Sequence, residues 1–144
     1  MKRYRFALGG IQRVRRIAEE NARQATAEAQ READRATAEL HARLADIGAA
    51  LPSPGVRTGS EFLADRENLD RHRQAVLAAR TAEANALDTL ASRRTDWIAA
   101  AKSLRAIDRM EERHREAWTA EATRAAQLLT DEIAVTRFRS ESER

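Results

Sequence analysis

Gly48-Ala49-Ala50-Leu51-Pro52-Ser53-Pro54-Gly55-Val56-Arg57-Thr58-Gly59-Ser60-Glu61 is the one stretch of this chain where helix-breaking residues cluster, and everything on either side of it reads as helix. Pro52 fixes its own φ and crowds the residue before it out of helical geometry, so a first helix has to stop near residue 50. Thr58 followed three positions later by Glu61 has the form of a capping box, with Ser60 as a competing cap, and either one starts a second helix near residue 60. The expected order is therefore a helix over about 6–50, a loop over about 51–59 and a longer helix over about 60–138. At about 1.5 Å of rise per residue the two helices would run to about 68 and 118 Å. Helices of mixed charge need a partner in water, and a loop of this length lets the second fold back on the first. The fold class expected is all-α: an antiparallel two-helix coiled-coil hairpin with the second helix longer than the first, forming a single elongated domain over 1–144.

The apolar positions support the pairing. In the first helix Ile11, Val14, Ala18, Ala22, Ala25, Ala29, Ala33, Ala36, Leu40, Leu44, Ile47 and Leu51 follow a repeated 3, 4, 4 spacing, an eleven-residue period. In the second, Phe62, Leu69, Val76, Glu83, Leu90, Trp97, Leu104, Glu111, Trp118, Ala125 and Glu132 fall at intervals of seven, a heptad seam interrupted by acids. One helix thus offers alanines and the other larger groups, and the mismatch of periods implies a shallow, irregular supercoil. Folding about residues 55 and 56 places Val14 near Trp97 and Ala36 near Val76. It also leaves Trp118, Ala125 and Leu129 as an apolar stripe beyond the reach of the first helix, available to a partner protein or to a second copy.

Composition narrows the function. Only 4% of the 144 residues are aromatic and 34% are charged, so the chain can bury a seam but hardly a globular core. Twenty-six basic residues nearly cancel 23 acidic ones, a weaker concentration of charge than nucleic-acid binders show. The absence of cysteine excludes disulfides, thiolate metal sites and thiol catalysis. His41, His72 and His114 are far apart and lack metal-ligand spacing, so no metal is expected. Glu111-Glu112 and Asp131-Glu132 are adjacent in a helix and point about 100° apart, which is no geometry for an acid and base flanking a substrate. Gly9-Gly10 lacks the lysine, the further glycines and the preceding strand of a phosphate loop. No enzyme, cofactor or catalytic residue is therefore expected. Gln12, Arg13, Arg15 and Arg16 interrupt any secretory leader, and no stretch approaches the ~20 apolar residues of a membrane span.

The sharper feature is charge placement. Residues 1–16 hold Lys2, Arg3, Arg5, Arg13, Arg15 and Arg16 without one acid, so one end of the hairpin is basic. Solvated basic first turns are common, but this one also suits an acidic protein surface. Tyr4 and Phe6 between arginines could stack on bases, yet without a wider basic face nucleic acid is not expected as a partner.

In its order of features the chain resembles the flagellar export protein FliJ family. The resemblance is carried by Tyr4-Arg5-Phe6-Ala7-Leu8 followed by Val14-Arg15, by Phe62-Leu63-Ala64 after the central loop, by the Trp97 and Ala101 region, and by Leu104 to Arg113, Glu121 and Asp131-Glu132-Ile133-Ala134. The strong Ala/Arg bias and the proline-rich loop depart from the family pattern. The resemblance implies a cytoplasmic stalk of the type III export apparatus, peripheral to the inner face of the cell membrane and similar in form to the paired helices of the rotary ATP synthase gamma subunit. It implies three kinds of partner: the hexameric export ATPase FliI, the export gate FlhA and unladen export chaperones. On that expectation Arg13, Arg15 and Arg16 face the ATPase and Leu44, Phe62 and Leu69 face the gate. A structural coiled-coil scaffold, or a chaperone-handling protein without an ATPase-coupling role, is the alternative.

Overall fold

The computed structural model describes residues 4–52 and 54–142. Two helices are formed, α1 (Gly9–Ala49) and α2 (Gly59–Ser142), and no strand occurs among the described residues. The molecule is an antiparallel two-helix hairpin whose second helix is twice the length of the first. α1 opens with the Gly9 amide donating to the Phe6 carbonyl and closes with Ala50 donating to Asp46, before Pro52. α2 starts on the capping box: the Glu61 amide donates to Thr58 Oγ1 at 3.3 Å, and the Thr58 amide donates back to the Glu61 carboxylate at 2.8 Å. That bond from the Thr58 amide is the main reason the Glu61 carboxyl is held below its ordinary value. The connecting segment does not turn symmetrically. Pro54, Gly55, Val56 and Arg57 lie along Glu61, Ala64 and Asp65, and Arg57 pairs with the Asp65 carboxylate.

The described chain falls into two units. One is formed by the chain up to Ile17 with the chain from Ala101 onward, the other by Ala18–Ala100. The second unit holds the buried groups. Ala29 and Ala33 pack with Leu90 and the partly covered Ala86, while Leu40 packs with Val76, Ala79 and the partly covered Ile47. The heptad expected on α2 is realised: Leu69, Val76, Glu83, Leu90, Trp97, Leu104, Glu111 and Trp118 are all buried or partly buried, and Phe62, Ala125 and Glu132 at either end are exposed.

α1 departs from expectation in two ways. Its covered positions also run in sevens, through Gln12, Glu19, Thr26, Ala33, Leu40 and Ile47, so the two helices share one period. Polar side chains occupy the first three of these positions. The apolar stripe read from the sequence coincides with the seam from Ala22 to Leu40 but not before it, and Ile11 and Val14 are 51% and 64% exposed. The pairing is also displaced by about one turn: Trp97 meets Glu19 rather than Val14, and Val76 packs with Leu40 rather than Ala36. The displaced register is the one that joins Trp97 to Glu19 by a hydrogen bond, and it is compatible with a connection whose residues 54–57 run beside the first turns of α2.

Candidate interaction surfaces

In the unit that contains the beginning of the chain, an extended arm over residues 4–6 leads into α1 and folds onto α2. The Tyr4 hydroxyl donates to the Glu111 carbonyl at 3.3 Å, and its ring lies 5.6 Å from the His114 ring and 5.8 Å, edge-on, from the Trp118 ring. Phe6 adds a second ring 6.0 Å from His114, and the Arg115 guanidinium sits 5.5 Å over Tyr4. Such ring and cation contacts give direction to what would otherwise be plain apolar burial.

Below the arm, Gln12 Nε2 donates to Asp108 at 2.8 Å and to the Glu111 carboxylate at 2.7 Å, and Arg115 pairs with the same carboxylate. The Glu111 carboxyl is held below its ordinary value of 4.5, first by the Gln12 bond, then by Arg115 and by the nearby charge of Arg16. The Arg115 guanidinium is correspondingly pushed up, chiefly by its bond to Glu111. Arg16 is thus tied electrostatically to the seam, while Arg13, Arg15 and Arg16 all remain exposed. Of the other cations of the basic start, Arg5 is exposed, and Lys2 and Arg3 lie outside the described residues.

One expectation changes here. Tyr4 and Phe6 are engaged within the chain. Trp118 is not unpaired: the arm reaches further along α2 than α1 itself does, and Tyr4 covers part of the indole. Ala125 and Leu129 of the same stripe are exposed, Leu129 by 62%.

In the other unit, Trp97 Nε1 donates to Glu19 at 2.7 Å, Thr26 Oγ1 to the Arg93 carbonyl at 3.0 Å, and Arg94 to Gln30 at 2.7 Å. These bonds fasten the helices at polar positions. Of the three apolar residues expected to meet a gate, Leu69 belongs to the seam and is partly buried, while Leu44 is 39% and Phe62 60% exposed. The exposure of Phe62 leaves it open to a partner.

Gln12, Glu19 and His114 are the residues a reading of motifs passes over. Gln12 and Glu19 could have been found by extending the sevenfold spacing of Ala33 and Leu40 backward without asking that each member be apolar. Among the described residues no group of three or more His, Cys, Asp or Glu could hold a metal ion, and no helix is long and apolar enough to cross a membrane. What this arrangement defines is an all-helical protein of two paired helices, with basic and apolar side chains exposed outside the seam. The sequence model of the flagellar FliJ protein matches residues 4–143, nearly the whole chain. The chain belongs to that family, and is accordingly a structural component of the flagellar export apparatus. No curated protein and no solved structure gives a match.

Proposed function

We propose that this protein is the non-enzymatic coupling stalk of the flagellar type III export apparatus, acting in the cytoplasm at the inner face of the cell membrane. In this reading it engages the hexameric export ATPase and the export gate, and handles unladen export chaperones. The observation that carries the reading is the family match over residues 4–143, which spans both helices and the connection between them. Its particulars rest on exposure. Arg13, Arg15 and Arg16 stand in solvent on the first turns of α1, where complementary charge on a ring of acidic character would steer encounter and orientation more than add affinity. Leu44 and Phe62, exposed in the other unit, supply apolar contacts for the gate, with Leu69 beside them in the seam.

The test is binding to the purified hexameric ATPase and the change in its ATP turnover. Replacing Arg13, Arg15 and Arg16 together by glutamate should weaken ATPase binding, more strongly at low salt than at high, and leave gate binding intact. Because Arg16 also faces Glu111, the variant's melting curve is the control for folding. A scaffold without a coupling role would neither bind the ATPase nor alter its turnover, and equal loss of both interactions would contradict the assignment of surfaces.

A further inference from the structure

α2 continues past the arm's last contact, at Trp118. Trp118 and Ala122 are partly covered, and every residue from Thr123 to Arg139 is exposed. Through this segment Trp118, Ala122, Ala125, Leu129 and Ile133 recur at steps of 4, 3, 4 and 4, one continuous face of a helix, with Leu129 62% and Ile133 48% exposed. One flank of that face carries Glu121, Glu132 and Arg139; the other carries Arg137 among threonines and alanines.

We propose that this face pairs, antiparallel, with the same face of a second copy of this chain, the two Leu129 side chains meeting on the twofold axis. Size and charge both select this occupant. About Leu129, Ala125 falls opposite Ile133 and Ala122 opposite Thr136, so a small side chain meets a larger one at each layer. In an antiparallel pair the same flank of both helices comes together, which sets Glu121 of one copy beside Arg139 of the other. A parallel pair in register would instead set Ala125 on Ala125, leaving a gap, and gather both copies of Asp131-Glu132 at one level. A face that is its own complement under a twofold rotation closes with two copies and leaves no edge for further growth. Any other helix that uses this face competes with the second copy.

The full chain is suited to the test because it has no cysteine. Sedimentation equilibrium should show a reversible monomer–dimer equilibrium. Leu129→Glu, at an exposed position, should leave the helix content unchanged and lower the association constant by about a hundredfold or more, since it faces two carboxylates across the axis. Glu121→Arg should weaken the dimer, and adding Arg139→Glu should restore it. Under mild oxidation Leu129→Cys should form a disulfide-linked dimer. Glu121→Cys should not, because its two copies lie about 24 Å apart along the antiparallel pair. A chain that stays monomeric at every concentration, a dimer indifferent to Leu129→Glu, or cross-linking through Glu121→Cys as ready as through Leu129→Cys would each overturn the proposal.

Discussion

Replacing Leu90 by alanine removes three carbons from a point in the seam where the side chain is 4% exposed and its neighbours are Ala29, Ala33 and Ala86. At about 0.8 kcal/mol per carbon returned to water, the transfer loss comes to about 2.4 kcal/mol. In a globular core a cavity term would be added, but a two-helix seam has solvent close on both sides and its walls can close over the gap, so the total should stay near about 2–3 kcal/mol. Ala33→Leu, at the least exposed of the described residues (2%), is the reverse change: it forces a large group against Leu90 and should cost about 1–3 kcal/mol. The two combined exchange a large–small pair for a small–large one and keep the volume, so the double variant should be more stable than the sum of the single losses implies. Urea unfolding followed by helical circular dichroism measures all three, with Leu87→Ala as control on a face where the leucine is 47% exposed. If Leu87→Ala cost as much as Leu90→Ala, or if the paired changes were merely additive, Ala33 and Leu90 would not be partners across the seam.

Three further outcomes follow from the geometry. Thr58→Ala removes the oxygen that caps Glu61 and should lower stability by about 1 kcal/mol in the same unfolding assay, with fraying confined to the first turn of α2 in amide exchange. Cysteines placed at Leu40 and Val76 should cross-link readily, while a pair at Ala36 and Val76, the register read from the sequence, should not. Because the Glu111 carboxyl titrates below its ordinary 4.5, the stabilisation from Gln12, Arg115 and Arg16 is fully present above that pH and lost as pH falls through the lower folded-state value; Glu111→Gln should flatten the melting profile across that window.

The elements were legible from a few residues. Pro52, Thr58 and Glu61 act locally, so their effect on the chain does not depend on what it packs against, and both helix boundaries near the connection follow from them. The heptad of α2 was legible because Val76, Leu90, Leu104 and Trp118 are large and apolar. The seam of α1 was only half legible. Alanine occupies so much of that helix that an apolar stripe can be drawn through it at more than one spacing. The true line passes through Gln12, Glu19 and Thr26, which a count of apolar residues discards. The arm was missed for a related reason. Tyr4 and Phe6 beside arginines suggest a surface feature, and only the placement of His114, Arg115 and Trp118 on the facing helix makes them part of the fold.

That ambiguity bears on how the register is chosen at all. Sliding one helix by a turn in a seam of alanines exchanges one methyl group for another, and each methyl gained or lost is worth only about 0.8 kcal/mol. Apolar burial alone therefore discriminates weakly among neighbouring registers. The polar contacts add what the methyl groups lack, a direction. A slide that separates Trp97 from Glu19, or Gln12 from Asp108 and Glu111, breaks partly buried hydrogen bonds between the helices. In each unit a bond from one helix to the other thus fixes what the alanines leave open, as a single polar residue at a seam position does in simpler coiled coils. The polar seam positions lower the apolar content of the chain, and it is these positions that let so alanine-rich a sequence specify one pairing.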